Sequence, residues 1–155
     1  MDAEAFQFLE PGELVDGELR LVLARRNPAD PAKGWVPSYD FEIFIDGVEV
    51  RVGRVNFRAG DTESLQKYGG HFAYAVGEAH RGHHYAERAV RLLFPFARRH
   101  GLSVVWITCN PDNWPSRRTC ERLGGTLVEI VKLPEDCDMY QAGEREKCRW
   151  AVPIP

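Results

Sequence analysis

Apolar and polar positions alternate along the first third of the chain and shift to helical spacing in its middle. Glu18 to Arg25 (ELRLVLAR) alternates as a half-buried strand does. The following NPADPAKGWVPS, Asn27 to Ser38, holds three prolines and predicts a loop. Tyr39 to Ile45 predicts a second strand, Asp46-Gly47 a hairpin turn, and Val48 to Phe57 the return strand. The polar stretch Arg58 to Gly70 has room for a short helical turn. His71 to Val76 (HFAYAV) then reads as a short, aromatic-rich strand, and GEAHRGHH breaks it.

From Ala86 the apolar residues Ala86, Ala89, Val90, Leu93 and Ala97 recur at helical spacing. Arg98, Arg99 and His100 before Gly101 form a C-terminal signal. Pro95 removes one hydrogen bond at a cost of about 3 kcal/mol and predicts a kink near Arg91 or compensation by packing. Leu102 to Thr108 (LSVVWIT) is nearly all apolar, as in a strand covered on both faces. Asn110 to Asn113 turns the chain, and Asp112 or Asn113 caps a short helix ending at Gly124-Gly125. Thr126 to Leu133 and Arg145 to Val152 predict two last strands around a loop rich in Asp, Glu and Gly. The central order of strand, helix, strand, helix, strand predicts an α/β fold with a mixed sheet, in one domain over residues 1–155.

Bulk properties narrow the function. A net charge of -3 gives no reason to expect a nucleic acid or a membrane surface as partner. No run reaches the roughly 18 apolar residues of a membrane span. The start, MDAEAFQFLEPGE, is acidic and does not read as a secretory signal. Cys109, Cys120, Cys137 and Cys148 match no zinc or redox spacing and read as free thiols of a reducing cytoplasm.

Candidate chemistry begins at Arg81-Gly82-His83-His84-Tyr85-Ala86, between a predicted strand and a predicted helix. The first N–H groups of a helix lack internal partners and carry partial positive charge, so a pyrophosphate fits there. Gly82 allows close backbone approach, and Arg81 adds a fixed charge. The plain alternative is a tight strand-to-helix turn with surface histidines. The second segment is NPDNWPSRRTCERLG, Asn110 to Gly124, where Asn113 and Ser116 open a helix just after an apolar strand.

Together, the HFAYAV strand, RGHHYAERAVRLLFPFARRHG and NPDNWPSRRTCERLG resemble the GNAT superfamily of N-acetyltransferases, in particular its ribosomal-protein and antibiotic acetyltransferase branch. The resemblance is specific over residues 71–125. Arg81 and Ala86 match the ends of the family's phosphate loop. The resemblance implies a mixed, mostly antiparallel central sheet of about six to seven strands flanked by helices. It also implies acetyl-CoA as co-substrate, with no metal, and a small-molecule or peptide amine as acceptor.

On that resemblance Arg81, Gly82, His83, His84, Tyr85 and Ala86 hold the pyrophosphate. Backbone N–H groups near Ala75 and Val76 polarise the acyl carbonyl, and Asn113 and Ser116 bond the pantetheine arm. A base must deprotonate the amine. His71 and Tyr74 are preferred over Glu42 and Glu78, because they lie on the strand lining the site.

Three departures stand out. His84 replaces the loop's central glycine and is strained if that position needs a glycine-like angle, or else adds a second positive group. Cys120 stands where many members carry the tyrosine that protonates the departing thiolate. Only the proline-rich loop Asn27 to Ser38 is available where the family commonly places two helices. The acceptor pocket is therefore expected to be more open, or completed by a second subunit in a homodimer.

Other readings of these residues are plainer. His80, His83 and His84 lack the further ligands of a zinc site. Arg88, Arg91, Arg98 and Arg99 read as a solvated helix face. Cys120 reads as a structural thiol, and Trp35, Tyr39, Phe44 and Phe57 as core or acceptor-pocket lining. Two functions follow: an acetyltransferase, or an acyl-CoA-binding regulatory or scaffold module without catalysis.

Overall fold

The computed structural model describes residues 6–155, so the first five residues of the acidic start lie outside it. Eight strands form two antiparallel sheets. The first sheet holds β1 (Leu14–Asp16), β2 (Leu19–Asn27), β3 (Ser38–Ile45), β4 (Gly53–Arg58) and β5 (Phe72–Val76) in that order. The second holds β6 (Val104–Cys109), β7 (Thr126–Lys132) and β8 (Glu146–Pro153) in the order β6-β8-β7. Helix α1 (Tyr85–Arg99) joins the sheets, α2 (Trp114–Arg122) follows β6, and a single turn, α3 (Asp138–Gln141), lies between β7 and β8. The expected α/β architecture with helices flanking antiparallel strands is present. The strand count of six to seven is corrected to eight, and the one sheet to two.

Alternation decides which face each strand buries. Tyr39, Phe41, Ile43 and Ile45 of β3 and Val55 and Phe57 of β4 point into the core, as does Phe72 of β5. They meet the apolar stripe of α1, with Ala89, Val90, Leu93 and Phe96 buried. The Phe96 ring stands edge-on to Tyr39, with centroids 4.8 Å apart. Such pairs contribute about 0.5–1.5 kcal/mol beyond their buried area. Helix α1 runs unbroken through Pro95, and Phe94, Phe96 and Ala97 around it are buried, so packing supplies the compensation for the lost hydrogen bond.

The other face of the first sheet carries Asp40, Glu42, Arg54 and Asn56, none of them fully buried, and the exposed Ala73 and Ala75. No helix lies between β2 and β3; a loop with an isolated Asp30–Trp35 bridge connects them.

Between β5 and β6 the sheet is interrupted. Every residue of β5 pairs with β4, and β6 pairs with β8 alone. One residue ties the two strands together at their base. The His71 N–H donates to the Trp106 carbonyl (2.6 Å), and the Trp106 N–H donates to His71 Nδ1 (2.8 Å). Beyond this tie no ladder joins the two strands, and the gap between them is taken as the candidate cleft.

Candidate active site

The cleft wall on the first sheet is β5, and its ladder has a definite phase. The Arg58 N–H donates to the His71 carbonyl (2.8 Å), which turns the polar groups of His71's alternate neighbours Ala73 and Ala75 toward β4. Phe72, Tyr74 and Val76 turn theirs away, and Arg81 Nε accordingly reaches the Val76 carbonyl at 3.2 Å. Of the two amides expected to face an acyl carbonyl, that of Val76 is directed at the cleft and that of Ala75 at β4.

The loop from β5 to α1 places Arg81, Gly82, His83 and His84 in solvent. Gly82 has φ +92° and His84, the residue before the helix, has φ +58°. His84 is the one non-glycine residue with positive φ among the described residues. A β-carbon in that conformation crowds the backbone, at about 1–2 kcal/mol. The glycine-like angle expected there is present, so His84 is strained. The first hydrogen bond of the helix is Arg88 N–H to His84 O, 3.0 Å. The amides of Gly82 to Glu87 donate to no group among the described residues. A 15-residue helix thus starts with its donors facing water. His83 stacks on Tyr85, with centroids 5.1 Å apart. These exposed donors, beside a guanidinium and two positive-φ residues, fit a diphosphate.

We expect His84→Gly to raise stability by about 1 kcal/mol, since the strain is relieved. Coenzyme A affinity should stay at its wild-type value, because the amides remain. Chemical denaturation and calorimetry check both parts, and a loss of affinity would assign the imidazole a direct role on the phosphates.

On the opposite wall, Asn113 caps α2, its side-chain oxygen accepting from the Ser116 N–H (3.2 Å). Its side-chain NH2 is left as the group able to meet a ligand. Ser116 is buried, and its Oγ lies 2.8 Å from Tyr74 Oη, a contact that spans the cleft from β5 to α2. Tyr74 Oη is also 4.0 Å from Cys120 Sγ. Burial, then the neighbouring Cys120, push the Tyr74 phenol well above its ordinary value. Burial likewise pushes the Cys120 thiol up to about 12. Both groups are therefore protonated at neutral pH. Sequence reasoning missed the Tyr74–Ser116 contact, which joins residues 42 positions apart.

His71 is fully buried, with both ring nitrogens engaged. Nδ1 accepts from Trp106, so Nε2 carries the proton and faces the Gly60 carbonyl at 2.9 Å, with Asp61 Oδ1 at 3.3 Å. Burial, outweighing Asp61, lowers its pKa. His100, whose Nε2 lies 2.9 Å from Tyr39 Oη, is lowered by burial and Arg99. A histidine held neutral takes up fewer protons than the unfolded chain does. Its stability contribution is complete above about pH 6.5 and is lost as the pH falls below that value, by at most about 1.4 kcal/mol per unit per histidine. Urea midpoints should therefore fall between pH 7 and pH 5, and His71→Phe should flatten the profile. A profile equal to wild type would show that His71 does not carry the effect.

Among the described residues no group of three or more His, Cys, Asp or Glu converges as metal ligands would, and all four cysteines are free. No helix among them is long and apolar enough to cross a membrane.

Comparison with known proteins adds the family. The model of the acetyltransferase (GNAT) domain matches residues 2–126. The chain belongs to this GNAT family. The GNAT chain also shares its fold with solved acetyltransferases. A ribosomal-protein-S5-alanine acetyltransferase from Vibrio fischeri superposes with TM-score 0.60 at 16% identity, over 76% of this chain and 62% of that one. The ribosomal L7/L12 α-N-protein acetyltransferase RimL, in complex with coenzyme A, gives 0.58 at 21% identity, over 76% and 62%. The microcin C7 self-immunity acetyltransferase MccE, in complex with acetyl-CoA and AMP, gives 0.58 at 18%, over 76% and 61%. This GNAT chain therefore spans less than two thirds of the length of these three. No curated protein matches it.

Proposed function

We propose that this GNAT chain transfers an acetyl group from acetyl-CoA to a primary amine by direct attack in a ternary complex. The observation that carries the reading is the row of unengaged amides from Gly82 to Glu87, placed where β5 and β6 part. Arg81, Gly82, His83, His84, Tyr85 and Ala86 would hold the pyrophosphate, and the Asn113 side-chain NH2 the pantetheine arm. The three solved relatives described above support this assignment, two of them as complexes with coenzyme A or acetyl-CoA.

The thioester brings an already activated acyl group, so the protein's own part is small. The Val76 amide, turned to the cleft, would polarise the carbonyl, with Ala75 setting its position in the strand. Tyr74, whose hydroxyl crosses the cleft to Ser116 beside the Cys120 position, is placed to protonate the departing thiolate. This moves the proton donor from the α2 position of Cys120 to β5, while leaving the hydroxyl against α2. In this reading His71 holds the base of the cleft together, and an amine reaching the site neutral needs no protein base. Ser116 orients Tyr74. The acceptor is a small molecule or a peptide, and the free thiols suit a reducing compartment such as the cytoplasm.

Calorimetry with acetyl-CoA and a thiol-release assay over an amine panel test the proposal. Binding with release for some amines is expected. Binding without release for every amine would favour the regulatory or scaffold module, and absence of binding would sink both readings.

A further inference from the structure

The face of the first sheet turned away from α1 has its acids engaged and its cations left over. One row across it, in register, is Val22 of β2, Glu42 of β3, Arg54 of β4 and Ala75 of β5. Glu42 stands directly opposite Arg54, yet its carboxylate lies with Arg51, Oε2 to Nη1 3.6 Å. In the next row Asp40 accepts from Asn27 Nδ2 (3.0 Å) and from Asn56 Nδ2 (2.8 Å). The exposed Arg54 makes no side-chain hydrogen bond or ion pair among the described residues. Arg20 rests over the Phe44 ring at 4.8 Å, and the exposed Arg25 stands in register with Asp40 without an ion pair. Such a face is complementary to an anion. A guanidinium meets a carboxylate or phosphate with two parallel hydrogen bonds.

Position singles out Arg54. The Tyr74 side chain, on the other side of β5, reaches Ser116 of α2, and Arg91 of α1 donates to the Arg122 carbonyl of α2. Both helices therefore lie on that side, and a coenzyme held at the start of α1 leaves the opposite face to the acceptor. There Ala73 and Ala75 are exposed, and their methyl groups leave space over β5. Arg54 is the partner of Ala75 in the ladder, one strand spacing of about 4.8 Å from β5. Arg20 and Arg25 are on β2, three spacings or about 14 Å away. An amine that reaches a carbonyl held at the Val76 amide can therefore set a nearby acidic group on Arg54. We infer that Arg54 determines specificity by binding a carboxylate or phosphate on the acceptor, so that the preferred substrates are amines bearing an acidic group. This rests on the acetyl-transfer reading above, and it adds the substrate class.

The test compares β-alanine and aminoethyl phosphate with propylamine as acceptors. Wild type should favour at least one of the acidic amines over propylamine by about tenfold or more in kcat/KM, and which one it favours tells carboxylate from phosphate. Arg54→Gln should collapse that ratio toward one, and Arg54→Lys should keep part of it. Arg25→Gln makes the same change of charge farther from β5 and should leave the ratio alone. An equal collapse in Arg25→Gln would overturn the inference, since net charge and not contact with Arg54 would then set the preference. Equal use of propylamine and the acidic amines by the wild-type protein would also overturn it, and this comparison holds even if no variant folds. Calorimetry of aminoethyl phosphate and β-alanine with coenzyme A-bound wild type and Arg54→Gln separates the two levels. Binding that needs Arg54, with no thiol release from any amine, would sink the acetyl-transfer reading and keep the subsite. Absence of binding to wild type would sink the subsite.

Discussion

Tyr74→Phe is expected to lower kcat by about 100-fold, the lower end of what a positioned proton donor contributes. Phenylalanine keeps the ring and loses only the hydroxyl that meets Ser116 at 2.8 Å. Coenzyme affinity should hold, since no contact proposed for the pyrophosphate involves Tyr74. The expected pattern is a fall in kcat with little change in KM for acetyl-CoA, as for a group acting only during reaction. Placing tyrosine at position 120 in the Tyr74→Phe background adds a sharper test. Cys120 Sγ lies 4.0 Å from the Tyr74 hydroxyl, so a phenol from α2 should restore part of the rate. Unaltered kcat in Tyr74→Phe would remove Tyr74 from the chemistry and leave it as a strut across the cleft.

Much of the scaffold was legible because local pattern and burial agree. The alternation in ELRLVLAR and the helical spacing from Ala86 to Ala97 each match one buried face of β2 and α1. The Asn113 cap was legible for the same reason, since its partner Ser116 is three residues on. Strand β1 was not legible: three residues carry no period, and it forms only because Leu14 to Asp16 pair with β2. The return strand was read from Val48 and begins only at Gly53, where the chain pairs with both β3 and β5. A β-carbon at Gly53 would lie 2.5 Å from the Ala75 carbonyl oxygen, a closeness set by tertiary pairing. The break between sheets depends on one histidine. His71 in HFAYAV reads as a polar residue at a strand start, or as a base. Sequence cannot show that Trp106 and Gly60, 35 positions ahead and 11 behind, take both of its nitrogens.

Gly82 separates a strained loop from a blocked one. A β-carbon built there meets nothing within 4 Å, so Gly82→Leu causes no clash inside the protein. Its backbone has φ +92°, and a side chain in that conformation costs about 1–2 kcal/mol, which a domain with several kcal/mol of stability survives. The leucine would instead stand in the open space over the amides that begin α1. Excluding a phosphate from two such donors removes charge-assisted hydrogen bonds of about 1.5–3 kcal/mol each, a loss of roughly 100-fold or more in coenzyme affinity. The folded fraction by circular dichroism should stay high while calorimetric binding disappears. His84→Gly, two residues on, reverses the backbone term and leaves the amides uncovered, so it should gain stability and keep binding. If strain alone governed this loop, affinity would follow stability in both variants. If the amides hold the pyrophosphate, affinity is lost only where a side chain covers them, and wild-type affinity in Gly82→Leu would place the coenzyme's phosphates elsewhere.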